Sequence, residues 1–254
     1  MTPGPSRADR LDPRAKWIVT FAFVVAVSSF GKYEVSRITP LFLYPVAIMA
    51  VSGVPVRSLL GKTLLALPFI LFVGLFNPFF DREVLLNLGG YSITGGWVSF
   101  FSITLRSLLA VSSAVLLVMT TPFDRLCLGL EKLRVPRILV TQLNFLHRYM
   151  FLLRDETQRM VRAHHLRSRG NKPKIALSTA GSMIGLLLLR ALDRATRIHG
   201  AMLVRGFDGE VRLLRPLCFS CSRDGAFILC WMFFFLLARF VNLPVWLYGW
   251  MVGK

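Results

Sequence analysis

Long apolar runs separated by short polar segments are the feature that most constrains this chain. The longest run, WVSFFSITLRSLLAVSSAVLLVMTT at residues 97–121, is long enough to cross a bilayer as one helix. Other runs approach that length, and hydrophobic residues make up 54% of the 254 in the chain. We therefore predict an integral membrane protein built from helices.

Five transmembrane helices are predicted, of which the first two are short for a bilayer. Short runs require that their edges extend or that the bilayer thins locally. The third run ends at Asn77-Pro78, and the loop that follows, 77–96, is rich in turn residues. The predicted spans are Trp17–Phe30, Ile38–Val51, Thr63–Phe76, Trp97–Thr121 and Ala226–Phe240.

The distribution of charge predicts the orientation of the chain. The net charge is +18, and the stretch Thr121–Arg215 holds 18 Lys and Arg against seven Asp and Glu. Because cytoplasmic segments of membrane proteins are enriched in Lys and Arg, we expect this stretch and the N-terminus to be cytoplasmic. The same bias accounts for the basic total without nucleic acid as a partner. The first run resembles a signal peptide, but the later spans favour its retention as a transmembrane helix.

The basic stretch contains two helical patterns, at about 138–169 and 175–205, separated by Asn171-Lys172-Pro173. Together they predict a helical hairpin between a membrane domain, 1–122, and a C-terminal span with its tail, 223–254. The hairpin domain is 123–222. The apolar stripe of the second helix, with heptad-like spacing, is Ile184, Leu188, Ala191, Ala195, Ile198 and Met202. The matching face of the first helix is Phe145, Tyr149, Leu152, Glu156, Arg159, Ala163 and Leu166.

Several motifs that suggest bound groups fail on spacing. Gly61-Lys62-Thr63 lacks the earlier glycine of a phosphate-binding loop, because Val56 occupies that position. Cys218 and Cys221 have the spacing of a metal or redox pair but no second pair accompanies them. The adjacent His164-His165 point to different sides of a helix, whereas His147 and His199 are isolated. No metal site, cofactor or catalytic group is expected.

Arg106 lies inside the fourth predicted span. An ionisable residue within a bilayer must face protein, water or a partner, which makes it a candidate functional residue. Serines around it favour close packing against other helices. A role in packing and a role in transport are both open.

Both arms of the predicted hairpin end in Arg-Gly, at Arg169-Gly170 and Arg205-Gly206. Glycine is favoured just after a helix, and a cation in the last turn complements the helix dipole. Capping does not require arginine in both places. An exposed guanidinium at a helix end can form a bidentate pair with a partner's carboxylate, so docking is the second interpretation.

Several stretches, in order, resemble the transmembrane T component of energy-coupling factor (ECF) transporters of the cobalt type. They are LDPRAKW, FNPFF, ITGGWVSFFSITLRSLLAVSS, MTTPFDRLCLGLEKLRVPRILVTQLNFLHRYMFLLRDE, HHLRSRG and AMLVRGFDG. The resemblance implies an all-α membrane protein of about five spans whose long cytoplasmic helices form a crossed hairpin. It implies a non-catalytic subunit that couples two ABC-type ATPases to a substrate-binding membrane subunit in the inner or plasma membrane.

The family's helix ends carry Ala-Arg-Gly twice, and this chain matches both arginines and both glycines. Ser168 and Val204 replace the alanines. The resemblance thus implies two ATPase-docking ends, at Ser168, Arg169, Gly170 and at Val204, Arg205, Gly206. The implied cargo is cobalt, with nickel or a vitamin as alternatives. Two other classes remain open: a membrane enzyme using His147, His164-His165 or Cys218/Cys221, and a self-contained channel or secondary transporter.

Overall fold

The chain is predominantly helical in the computed structural model, which describes residues 11–31, 35–76, 84–88, 91–167, 176–209 and 221–240. The helices are α1 (Pro13–Ser28), α2 (Val35–Ile38), a 3-10 helix (Thr39–Phe42), α3 (Leu43–Ser52), α4 (Val56–Leu75), α5 (Gly95–Thr120), α6 (Phe123–Lys132), α7 (Arg137–Arg167), α8 (Leu177–Val204) and α9 (Cys221–Phe240). The helical class of the prediction is confirmed.

A short antiparallel hairpin lies in the loop that the sequence predicts as rich in turns. Strand β1 (Val84–Leu88) pairs with β2 (Tyr91–Thr94), and Leu88 lies opposite Tyr91. The sequence between them is Gly-Gly, a pair that two-residue hairpin turns favour. The all-α prediction lacks this hairpin, because short apolar segments on both sides of a Gly-Gly pair are also compatible with a turn-rich loop.

The chain divides into two compact units. The first comprises Met1–Gly129 with Leu217–Lys254, and the second comprises Leu130–Pro216. These boundaries come from packing alone. The predicted functional domains, 1–122, 123–222 and 223–254, stay a prediction.

Helix α1 lies in the core of the first unit. Asp12 caps its start by accepting a hydrogen bond from the Arg14 N–H at 2.9 Å, and Pro13 occupies the first helical position. The Phe23 ring stacks on Tyr44 of α3 at 4.5 Å and tilts against Phe235 of α9 at 5.5 Å. The buried core of this cluster is Val19, Phe23, Val27, Phe30, Ile38, Leu41, Tyr44, Leu109, Phe235 and Ala238.

Two helices, α4 and α5, are long and apolar enough to cross a membrane among the residues that the structure describes. Both correspond to predicted spans. Their apolar side chains face outward in many places, for example Leu65, which is 81% exposed, and Phe69, which is 72% exposed. The other three predicted spans stay predictions.

The second unit contains α7 and α8, which occupy the two helical segments predicted from the sequence. Arg190 of α8 forms an ion pair with Glu156 of α7 at 2.5 Å. Phe207, just after α8, lies with its ring 6.3 Å from that of Phe145. Arg190 contacts Glu156, whereas the later residue Phe207 contacts the earlier residue Phe145. The two helices therefore run antiparallel along this contact.

Candidate functional site

Helix α8 ends in a turn that depends on glycine. The Phe207 N–H donates to the Met202 carbonyl and the Gly206 N–H donates to the Leu203 carbonyl, each at 3.0 Å. This pair of hydrogen bonds is the Schellman motif, which requires a left-handed residue after the helix. Gly206 supplies it with a φ of +80°. The capping interpretation of Gly206 is therefore confirmed.

Arg205 is exposed at the end of α8. Its N–H closes the helix by donating to the Met202 carbonyl at 3.1 Å. Its guanidinium has neither a hydrogen bond nor an ion pair within the part of the chain that the structure describes. Val204 beside it is 91% exposed. The local structure thus uses the backbone of Arg205 and leaves its charge available to a partner.

The other predicted end, Ser168-Arg169-Gly170, lies outside the described residues, and α7 is described as far as Arg167. Because Phe207 contacts Phe145, the end of α8 lies beside the first third of α7. At a rise of about 1.5 Å per residue, Phe145 and Arg167 are about 33 Å apart. The end of α8 and the described end of α7 are therefore far enough apart to meet two different partner surfaces.

The predicted apolar stripe of α8 is only partly engaged. Ala191, Ala195, Ile198 and Met202 line an open groove of about 370 Å³ against α7. The earlier members are exposed, since Ile184 has 67% and Leu188 59% of its surface accessible. The α7 side of the groove includes Phe145, Tyr149 and Leu152 from the predicted face. The described contacts between the two helices therefore lie away from the segment that joins them.

Arg106 donates to backbone carbonyls just past the end of α1. One N–H group binds the Phe30 carbonyl at 2.6 Å, and another binds the Gly31 carbonyl. Phe30 and Gly31 follow the C-cap residue Ser29, and their backbone carbonyls accept charge-assisted hydrogen bonds from Arg106. This geometry supports the packing interpretation, and a role of Arg106 in transport stays a prediction.

Lys16 connects the same two helices with the roles exchanged, because here α1 carries the donor and the end of α5 carries the acceptors. Its Nζ donates at 3.0 Å both to the Thr120 carbonyl and to Thr121 Oγ1, at the end of α5. Lys16 is only 7% exposed. In the sequence, Lys16 is one of the basic residues of the N-terminus, which is expected to be cytoplasmic. Its spacing from buried Val19, Thr20 and Phe23 was the signal that it lies on the buried face of α1.

A buried acid joins α9 to the start of α1. Asp224, in the first turn of α9, is fully buried, and its Oδ1 accepts a hydrogen bond from the Asp12 N–H at 3.1 Å. Asp12 is itself 5% exposed. Sequence reasoning missed Asp224, because its partner lies 212 residues away in the chain.

No group of three or more His, Cys, Asp or Glu side chains capable of holding a metal occurs among the residues searched, which are those described. His147 packs edge-on against Phe151. Cys218 and the Cys221 side chain lie outside the described part. Cys127 in α6 is buried. Burial, and to a smaller extent the negative charge of Asp124, raises the pKa of its thiol above the ordinary value.

Comparison with known proteins identifies relatives over nearly the whole length. The "Energy-coupling factor transporter transmembrane protein EcfT" of Leuconostoc gelidum is 26% identical over 97% of this chain and 96% of its own. The protein of the same name in Bacillus subtilis is also 26% identical, over 82% and 83% respectively. The "Cobalt transport protein CbiQ" of Salmonella typhimurium is 29% identical over 59% of this chain and 71% of its own.

Residues 5–214 match the family described as "Cobalt transport protein", CbiQ. The match covers well over half of the 254 residues and includes both predicted docking ends. The resemblance to transmembrane components of energy-coupling factor transporters is thereby confirmed. This chain belongs to the cobalt transport protein family, CbiQ.

Proposed function

We propose that the chain is the transmembrane coupling subunit of an ATP-driven importer for a transition-metal ion, cobalt. In this role it catalyses no reaction itself. Two ABC-type ATPases bind its cytoplasmic side and hydrolyse ATP, and a membrane subunit bound to it selects the cargo. Family membership and the names of the relatives support this role. Nickel or a vitamin is the alternative cargo, because selection belongs to the partner.

The end of α8 is the observation that carries the proposal. Arg205 is exposed, holds its backbone in a Schellman turn and has no partner for its guanidinium among the described residues. A guanidinium forms strong paired hydrogen bonds with a carboxylate. Gly206 and Val204 complete this docking end, and Ser168, Arg169 and Gly170 form the second one on a separate ATPase.

Coupling in this proposal passes through packed helices. When the ATPases close on ATP, the two docking ends change their separation, and α7 and α8 transmit this movement to the membrane region as a crossed hairpin. The ion pair between Glu156 and Arg190 fixes one end of their contact, and the rings of Phe145 and Phe207 fix the other. A contact held at two points resists sliding of one helix along the other.

The membrane arrangement we propose has five spans in the inner or plasma membrane and a cytoplasmic N-terminus. Helices α4 and α5 have the length and composition of spans, and the family is one of membrane transport components. The excess of Lys and Arg in Thr121–Arg215 supports a cytoplasmic position for α7 and α8.

The test of docking is co-purification of the ATPases and uptake of radioactive cobalt. Arg205→Ala and Arg169→Ala should each weaken ATPase binding by about 2–5 kcal/mol if the partner carboxylates are buried, and the double variant should abolish uptake. Arg205→Lys should restore only part of the binding, since an ammonium cannot form the bidentate pair.

Arg162→Ala is the matched control, because Arg162 is an exposed arginine of α7 that belongs to neither docking end. It should leave ATPase binding and uptake unchanged. An intact complex with full uptake in the double variant would falsify the docking proposal. Uptake of nickel, but not cobalt, with the natural substrate-binding subunit would overturn only the cargo assignment.

A further inference from the structure

The groove between α7 and α8 combines apolar walls with a small polar edge. Its volume of about 370 Å³ lies within the range typical of sites for small organic ligands, about 300–1,000 Å³. The polar edge includes Arg194. The apolar walls are Phe145, Leu152, Leu153, Ala195, Ile198 and Met202. A ligand that fills this groove must therefore be largely apolar with a polar end.

Arg194 determines the charge that this polar end must carry. Its neighbour Arg190 is neutralised by Glu156, and Arg197 donates to the backbone carbonyl of Asp193 at 3.2 Å. The Arg194 guanidinium has neither a hydrogen bond nor an ion pair with any residue that the structure describes. It is half-buried, so part of its hydration is already lost. An anion that pairs with Arg194 would compensate for that loss.

We propose that this groove binds an anionic phospholipid, with an acyl chain along the apolar walls and the headgroup phosphate on Arg194. The described residues of the second unit include 12 Lys and Arg against five Asp and Glu, which attracts them to an anionic leaflet. Leu146 and Leu192 beside the groove are 62% and 54% exposed, so apolar surface continues beyond its rim. Inorganic phosphate would leave the apolar walls unfilled.

This site uses none of the residues of the docking ends and does not depend on ATPase binding. The purified full-length chain is titrated with phosphatidylglycerol, phosphatidylcholine or inorganic phosphate, and bound lipid is counted by native mass spectrometry. We expect one phosphatidylglycerol to be retained in preference to phosphatidylcholine. Arg194→Gln should weaken its binding about tenfold, through loss of one charge-assisted contact.

Two further variants separate the groove from general surface charge. Ala195→Phe, at an exposed position that tolerates a larger side chain, should also weaken phosphatidylglycerol binding about tenfold by filling the groove. Arg162→Gln, an exposed arginine outside the groove, should leave it unchanged. Circular dichroism and thermal unfolding establish whether each variant is folded. If Arg194→Gln does not fold, the lipid binding of Ala195→Phe tests the proposal.

Three results would overturn the proposal. The first is equal retention of phosphatidylglycerol by the parent chain, Arg194→Gln and Ala195→Phe. The second is equal binding of phosphatidylcholine, or displacement of the lipid by inorganic phosphate, which would make the site one for a free anion. The third is a photo-crosslinker at Tyr149 that, in the assembled transporter, reaches a protein subunit and no lipid.

Discussion

Single charged residues hold the ends of helices together in the first unit. Lys16 of α1 donates to the end of α5, and Arg106 of α5 donates to carbonyls just past the end of α1. The Thr120 carbonyl is the last of α5 and has no partner within that helix, whereas the Phe30 and Gly31 carbonyls lie just past α1. Because the two contacts run in opposite directions between the same pair of helices, they fix the register of α1 against α5 at two heights.

Replacement of Lys16 should therefore lower the stability of the first unit. Lys16→Met keeps most of the apolar stem but removes the donors to the Thr120 carbonyl and Thr121 Oγ1. Hydrogen bonds from a charged group contribute about 1.5–3 kcal/mol, and we expect a loss of this size. Thermal unfolding in detergent, followed by size-exclusion chromatography, measures it.

Lys62→Met is the control for that change, because Lys62 of α4 is exposed. It should leave the melting temperature within error of the parent chain. Equal melting temperatures for both variants would show that the buried hydrogen bonds of Lys16 do not stabilise the fold.

Cys127 should be unreactive at neutral pH. A thiol reacts as the thiolate, and an ordinary cysteine has a pKa of about 8.5. Burial and the negative charge of Asp124 raise the pKa of the Cys127 thiol. Its thiolate fraction is therefore smaller than that of an ordinary cysteine at the same pH. The measurement is the iodoacetamide rate between pH 7 and 10 in a variant with Cys218, Cys221 and Cys230 replaced by Ser.

The same variant unfolded in detergent and denaturant is the reference for this rate. The folded chain should react more slowly at each pH, and its pH profile should lie to the alkaline side. A folded rate at pH 7 equal to the unfolded rate would contradict the burial of Cys127.

Residues of the site differ in how well the sequence predicts them. Arg205 and Gly206 follow from local rules, because a helix end needs a left-handed residue and the chain offers glycine directly after arginine. The buried contact between Asp12 and Asp224 does not follow, since it depends on how α9 packs against the start of α1. The buried state of Lys16 lies between these cases, as its spacing indicates the face but not the partner.

At the scale of elements, α6 approaches α1 closely enough that a side chain at position 129 would be crowded. A Cβ added at Gly129 would lie 3.1 Å from Trp17 Cδ1 and 3.4 Å from the backbone carbon of Pro13. The Trp17 indole N–H donates to the Leu126 carbonyl at 3.2 Å. Close approach and hydrogen bond together fix α6 on the start of α1.

Gly129→Ala should therefore weaken this packing, even though alanine favours helix. Overpacking costs about 1–3 kcal/mol, and the helix preference of alanine over glycine recovers up to about 1 kcal/mol. We expect a net loss of about 1 kcal/mol in the free energy of unfolding, measured by thermal or denaturant unfolding in detergent.

Gly61→Ala in α4 provides the comparison, because a Cβ there meets nothing within 4 Å. This variant should be neutral or slightly more stable. An increase in the stability of Gly129→Ala, like that allowed for Gly61→Ala, would contradict the close approach of α6 to α1.

Helix boundaries were predictable and the hairpin was not. The patterns at about 138–169 and 175–205 agree within a few residues with α7 and α8, because helical periodicity persists over many turns. The strands β1 and β2 are five and four residues long, too short for periodicity alone to separate them from a loop. The extent of contact between α7 and α8 was also not predictable, since the stripe continues into residues that remain exposed.

For the whole molecule, the proposed topology concerns two connections. It places the loop 77–96, which contains the β1–β2 hairpin, and the segment that connects α7 to α8 on opposite sides of the membrane. Alkaline phosphatase is active only outside the cytoplasm, whereas green fluorescent protein folds inside it. Phosphatase inserted after residue 82 should be active, and green fluorescent protein inserted after residue 172 should fluoresce. The excess of basic residues in Thr121–Arg215 is the physical reason.

Exchanging the two reporters between these positions is the control, and both should then be inactive. Phosphatase activity after residue 172 would invert the proposed orientation. Activity of the same reporter at both positions would contradict the five-span topology.

The family and the membrane class were predictable at this scale because they rest on ordered motifs and long apolar runs. The division into two compact units, Met1–Gly129 with Leu217–Lys254 and Leu130–Pro216, follows from packing and not from a local sequence pattern. It depends on which helices pack on α1, and the sequence gives no local signal for such long-range contacts.

The position of the α7–α8 contact has a mechanical consequence. From Glu156 to Arg167, α7 extends about 16 Å beyond the ion pair with Arg190. If α7 behaves as a rigid lever with its fulcrum there, a displacement of about 3 Å at Arg167 rotates the helix by about 10°. Small movements at an outer end would thus become angular changes at the contact, which side-chain packing can register as a switch between two orientations.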